Sequence, residues 1–197
     1  MTSILKADNI QDADGNNIIN ESGNTITIGA SGDTTNIIGT LNKDGVAVAN
    51  TPAFFAYLSS NQSCSDATFV KAQFDTEILD TANAYDNSTN YRFTPQVAGN
   101  YFILVNVMSN YSNTTCIQDA VIYKNGDKFL RSYVDNRGQN TYNQSTNVSG
   151  IVNLNGSSDY VEGYVRLDVG SGTPELSGST TSPLQHYTYM FGYKIIE

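Results

Sequence analysis

The sequence predicts an all-β protein: an antiparallel jelly-roll sandwich head, preceded by a short-stranded N-terminal segment. Two patterns and one compositional fact predict it. From Thr51 onward, short apolar and aromatic runs alternate with turn residues at roughly 8–12-residue spacing, and no window sustains a helical period. The chain also holds 13 Tyr, 8 Phe and no Trp, and only 15% of it is charged, against about 25% in an average soluble domain. Asn, Ser, Thr and Gly fill that deficit, as hydroxylated, half-exposed strand faces require.

At 197 residues the chain has room for one good domain and a short appendage. It divides near Asn50-Thr51-Pro52 into an N-terminal segment, 1–50, and a head, 51–197. Every aromatic residue lies after the boundary, so residues 1–50 cannot build an ordinary core by themselves. They carry instead the pairs Ile18-Ile19 and Ile37-Ile38, with Ile26 and Ile28 between them. Asp14 to Ile19 is echoed weakly by Asp33 to Ile38. Thr25-Ile26-Thr27-Ile28 alternates polar and apolar between the turn residues Gly23-Asn24 and Gly29, which reads as a short strand. Each Ile pair is expected to form one thin apolar ridge, too narrow to stabilise a single chain but buriable among three. A disordered tail is the alternative; low charge and repeated Ile favour order.

In the head, Ala53 to Leu58 opens the strand series, followed by Ala67 to Phe74 and Tyr91 to Phe93. Tyr101 to Met108 is the longest apolar run and reads as a central strand. Ile117 to Lys124 and Phe129 to Val134 flank Asn125-Gly126, the strongest hairpin signal in the chain. Val148 to Leu154 and Tyr160 to Leu167 are expected to pair with each other around Asn155-Gly156-Ser157-Ser158, and Tyr187 to Ile196 closes the domain.

The net charge of −9 excludes a basic stripe for nucleic acid. No apolar run is long enough to span a membrane, so no insertion is expected, and Met1 to Asp8 lacks the apolar core of a secretion signal. Exterior-type composition without that signal fits a protein assembled in a cell and released with a particle. Cys64 and Cys116, both near strand ends, are too few for a disulfide scaffold and are either paired or free. The one histidine, His186, lies in the polar approach to the last strand and reads as a loop residue. No zinc spacing occurs. Asp12-Ala13-Asp14-Gly15 with Glu21 falls short of a calcium loop, because its first position is Ile10. No catalytic residue, metal site or cofactor is expected. An enzyme acting on polysaccharide would need carboxylates clustered in a groove, and the Asp and Glu are scattered.

Several landmarks then fall in one order. Pro52 to Leu58 is followed by Phe74-Asp75, Tyr85-Asp86 and the long motif Tyr91-Arg92-Phe93-Thr94-Pro95-Gln96-Val97-Ala98-Gly99-Asn100-Tyr101-Phe102. Tyr123-Lys124-Asn125-Gly126 and the closing Phe191-Gly192-Tyr193-Lys194-Ile195-Ile196 complete the series. Residues 52–197 thereby resemble the globular head of complement component one, subcomponent q, which shares its jelly roll with tumour necrosis factor. Departures are the longer turn Gly156-Ser157-Ser158-Asp159, the one-position shift of Gly192 and the missing collagen-like stalk. The resemblance implies a homotrimer, with Phe54, Tyr57, Tyr189 and Phe191 at its axis or in the core of one subunit. It carries over no calcium or ligand residues.

Ser3-Ile4-Leu5-Lys6-Ala7-Asp8-Asn9-Ile10-Gln11-Asp12 and Gly23 to Gly29 resemble N-terminal segments of structural proteins of marine tailed bacteriophages. The implied protein is a non-enzymatic trimeric fibre or appendage on the outside of the virion. Residues 1–50 would contact other virion proteins, and the head would bind a host-surface glycan or polymer through Asn136 to Asn147 and Ser171 to Ser182. A capsid or neck decoration, or a head fibre with a purely structural role, is the alternative.

Overall fold

The computed structural model describes residues 9–11, 13, 17–22, 25–28, 32, 34–39, 41–43, 46–110, 112–113, 116–139, 141–170, 172–179 and 185–196. The chain forms two compact units, Met1–Val48 and Ala49–Glu197.

In the first unit, β1 (Asn9–Gln11), β2 (Asn17–Ser22) and β3 (Thr25–Ile28) form an antiparallel sheet in that order, and β4 (Asn42–Lys43) pairs with β5 (Val46–Ala47). The register sets Ile10 beside Ile19 and Ile19 beside Ile28, a row of three isoleucines across one face. All three are exposed within the chain, as is Ile26. Ile37 and Ile38 lie outside any strand, contrary to their expected ridge, and no described segment pairs with residues 34–38. The weak Asp-Gly loop, with Asp12, Asp14 and Gly15, lies outside the described residues, as do the turn residues Gly23, Asn24 and Gly29.

The head contains β6 (Ala53–Tyr57), β7 (Gln62–Ser63), β8 (Phe69–Lys71), β9 (Thr76–Asp80), β10 (Tyr85–Asp86), β11 (Arg92–Phe93) and β12 (Gly99–Met108). There follow β13 (Ser112–Asn113), β14 (Cys116–Lys124), β15 (Asp127–Asp135), β16 (Thr141–Tyr142), β17 (Ser145–Leu154), β18 (Val161–Val169), β19 (Glu175–Leu176) and β20 (Tyr189–Lys194). One sheet runs β17-β12-β20-β6-β9; the facing sheet runs β10-β11-β18-β14-β15, with β8 also on β18. All these pairings are antiparallel, and the result is a jelly-roll-like sandwich.

Strand alternation builds the core. Phe54, Tyr101, Ile103 and Met190 from one sheet meet Phe93, Ile122, Val165 and Leu167 from the other, all nearly or fully buried. The Phe54 ring stacks on Phe93 at 4.3 Å and on Tyr85 at 5.0 Å. Pairs of this kind add about 0.5–1.5 kcal/mol to the area they bury. Tyr101 keeps its buried hydroxyl satisfied by donating to the Val97 carbonyl at 2.6 Å, and burial pushes its pKa up to about 12. The Tyr91-to-Phe102 motif is therefore a core anchor: Phe93 and Tyr101 meet edge to face at 5.6 Å.

The Asn125-Gly126 turn is the expected two-residue hairpin, both residues having positive φ (53° and 86°). The expected β17–β18 hairpin is absent. β17 pairs along its whole length with β12, and β18 with β14, so the connection between them crosses from one sheet to the other. Asn155 builds this corner: its Oδ1 accepts the backbone N–H groups of Ser157, Ser158 and Asp159, each at 3.0 Å. At Gly156 the φ is +71°, and a Cβ would collide with the backbone of Val97 and Ala98. The Ala67-to-Phe74 run shortens to the three residues of β8, and β9 is an edge strand whose mixed Thr-Glu-Ile-Leu-Asp sequence gives no alternation signal.

Asp86 organises the turn after β10. Its carboxylate accepts the N–H groups of Thr89 (2.9 Å), Ser88 (3.1 Å) and Asn90 (3.2 Å), and the Asn90 amide at 2.6 Å. These bonds, led by the backbone N–H of Thr89, hold its pKa well below the usual carboxylate range. With the folded pKa below the unfolded one, the stabilisation is complete above the ordinary Asp range and is lost progressively as pH falls from there toward the lower folded pKa. Asp86→Asn is therefore expected to melt below wild type at neutral pH, with the gap closing as the pH drops below about 4. Thermal melts of both proteins across that range check it, and a gap independent of pH would contradict it.

Candidate functional site

The sheet β17-β12-β20-β6-β9 is apolar on its outer side as well as its inner one. Opposite the core, the register places Phe55, Phe191, Leu104 and Ser149 in one cross-strand row and Ala53, Tyr193, Phe102 and Ile151 in the next. A third row holds Tyr57, Tyr189, Asn106 and Asn147. Phe55 stacks on Tyr189 (5.6 Å) and Phe191 (5.9 Å), and Phe102 lies 5.6 Å from Tyr193. The aromatic residues shelter one another, yet Ile151 is 59% exposed, Leu79 46% and Tyr193 37%. The outer side of this sheet thus carries half-exposed apolar side chains in adjoining cross-strand rows.

Of the four aromatic residues singled out from the sequence, Phe54 belongs to the core and Tyr57, Tyr189 and Phe191 belong to the outer face. Strand parity carries this split, since Phe54 and Tyr57 are three residues apart and cannot share a face of β6. The same parity identifies Phe55, which sequence reasoning passed over. Phe102, Leu104 and Ile151 join through the long pairings of β12, which no local pattern reveals.

His186 sits at the margin of this face, half-buried, 4.1 Å from the Tyr57 ring and 5.8 Å from Phe55. Its Nδ1 is 3.3 Å from Ser179 Oγ. No carboxylate bonds to it among the described residues, so this pair lacks the orienting acid of a hydrolytic triad. Among the described residues no His, Cys, Asp and Glu side chains gather as a metal site, and no helix is long and apolar enough to cross a membrane.

The two loop regions expected to contact a glycan converge in part. Asn143, from the first, and Ser177 and Gly178, from the second, line a cleft of about 310 Å³ with Asn61, Asn110 and Tyr187. Asn61 Oδ1 accepts the Gly178 N–H at 2.9 Å, and Asn110 donates to Glu175. Asn140, Ser171 and 180–182 of these loops lie outside the described residues.

The C1q domain family matches residues 53–182, more than half of the chain. The protein belongs to the C1q family. Among solved structures, the tumour necrosis factor Eiger from S. frugiperda is 11% identical and superposes with a TM-score of 0.50, over 73% of this chain and 91% of that one. The globular domain of zebrafish complement 1qA is 17% identical over 73% of this chain and 96% of its own, with a TM-score of 0.48. Murine APRIL at pH 5.0 is 16% identical over 73% and 99%, with a TM-score of 0.49. No curated protein matches the chain. At these identities the structural likeness concerns the fold alone.

Two thiols of this C1q domain could have carried chemistry. Cys64 and Cys116 are both buried and free. Burial pushes the Cys64 pKa up to about 11 and raises that of Cys116, so both stay protonated and unreactive at neutral pH. A thiol reagent is expected to label neither in the native protein and both in guanidinium without reductant. Absence of labelling after unfolding would show that they are joined.

Proposed function

We propose that this C1q domain protein is a homotrimeric virion protein of a bacteriophage, a fibre or appendage whose head binds a host-surface glycan or polymer multivalently. The observation that carries the trimer is the second apolar face of the β17-β12-β20-β6-β9 sheet, with Phe55, Phe102, Phe191 and Tyr193 half open to solvent. A three-fold ring closes by one heterologous contact repeated, and it can bury such a face without leaving a free edge. Covering the remaining exposed area of several aromatic and aliphatic side chains is worth on the order of several kcal/mol per contact.

The N-terminal unit supports the same reading independently. Its Ile10-Ile19-Ile28 row is exposed in the single chain, and three copies of so narrow a ridge make a thin shaft. Residues 1–50 then serve as anchor to other virion proteins and as shaft, with the head outward. The virion assignment rests on the resemblance of residues 3–12 and 23–29 to phage structural proteins. Attachment draws its strength from number: three weak sites per trimer and many trimers per particle give avidity without a deep pocket. The amide-lined cleft beside Tyr187 suits hydrogen bonding to sugar hydroxyls.

Gold-labelled antibody against the head, imaged on intact particles of the encoding virus, tests the assignment. Label at a tail or fibre tip is expected. Label spread over the capsid would transfer the protein to the decoration or head-fibre role, and no label would remove it from the virion.

A further inference from the structure

The facing sheet has an outer side of a different kind. Across β15, β14, β18 and β8 the register lines up Tyr133, Asp119, Arg166 and Phe69. In the next row stand Arg131, Val121, Tyr164 and Lys71. The Asp119 carboxylate is fully buried beneath two arginines, with Arg131 Nε donating to Oδ1 at 2.5 Å and Arg166 Nη1 to Oδ2 at 3.3 Å. Arg166 spends its other donors on Asp168 and on the Ala67 carbonyl.

Arg131 does not. Only its Nε is engaged among the described residues, and its side chain remains 44% exposed. Its guanidinium lies 5.1 Å from the Tyr133 ring and 5.7 Å from Phe69. On the same Phe69 ring sits Lys128, with Nζ 3.5 Å from the centroid and no carboxylate partner among the described residues. Arg131, Arg166 and Lys128 face Asp119 and Asp168, which leaves one positive charge in excess on a chain whose net charge is −9. Tyr133 beside them is 60% exposed.

We propose that this patch binds the carboxylate of an acidic saccharide, deepening the glycan-attachment reading on which it rests. Arg131 is preorganised: Asp119 holds its Nε and the Tyr133 and Phe69 rings lie within 6 Å of its guanidinium, so its two terminal nitrogens bind a carboxylate with little further ordering. Lys128 adds a second cation, and Tyr133 offers a ring for the apolar face of the sugar. Each uronic acid unit carries one carboxylate, which a single guanidinium can bind through two parallel hydrogen bonds. One excess cation therefore matches one such unit on a chain whose net charge is −9.

The test is calorimetric titration of the full-length protein with tri-galacturonic acid, with maltotriose as the neutral control. Wild type is expected to bind the acidic trimer and not maltotriose, with affinity falling as salt rises. Lys128→Gln and Tyr133→Ser, neither of which removes a hydrogen bond to the Asp119 carboxylate, are each expected to weaken binding about tenfold or more. Arg131→Gln is expected to abolish it, its fold checked by circular dichroism. Unchanged affinity in Lys128→Gln and Tyr133→Ser would overturn the site. Binding of maltotriose alone would overturn the acidic-sugar inference while leaving saccharide attachment intact. If neither sugar binds, the inference fails, and staining of host cells by fluorescent full-length protein then reports separately on attachment.

Discussion

Side chains alternate strictly across a β-strand, and in this head one sheet is apolar on both sides of that alternation. Phe54, Tyr101 and Met190 point inward and fill the sandwich; Phe55, Phe102 and Phe191, each one residue away, point outward. A single sandwich has one core, so the second face has no partner among the described residues of the head. Everything proposed for the assembly follows from this surplus. Continuous apolar strands are expected when a sheet is covered on both faces, and β12, the run from Tyr101 to Met108, has that character.

The facing sheet resolves the same constraint differently. Its inner side matches the first sheet with Phe93, Ile122 and Leu167, while its outer side is a checkerboard of charge and aromatic rings held by the buried Asp119. A buried carboxylate is tolerated because each oxygen meets an arginine, and removing either partner would leave charge uncompensated in a dry site. The two outer faces thus differ in kind, one apolar and the other built of charges and aromatic rings. In a trimer the first face is consumed by assembly and the second stays outward in three copies, the arrangement that multivalent attachment requires.

How much of this the sequence discloses depends on how local the determining interaction is. Asn125-Gly126 specifies its hairpin because the turn geometry resides in those two residues. The Asn155 corner misleads for the opposite reason: Asn-Gly flanked by two apolar runs reads as a hairpin. What turns it into a crossing is the pairing of β17 with β12 and of β18 with β14. The outer aromatic face is half legible, since parity separates Phe54 from Phe55, but Ile151 joins it only through register with Phe102. The Arg131 patch is not legible at all. Phe69, Asp119, Arg131 and Arg166 lie on four different strands, and nothing in their local sequence distinguishes them from solvated charges.

In the proposed trimer the outer face of the β17-β12-β20-β6-β9 sheet is covered by copies of the chain. Sedimentation equilibrium of the full-length protein at micromolar concentration, beside the Phe191→Glu variant, tests it most directly. The expected wild-type mass is three times that of the 21.4 kDa chain. The variant should fall to the single-chain mass with its far-ultraviolet circular dichroism unchanged. A wild type of single-chain mass, or a variant that remains trimeric, would contradict it.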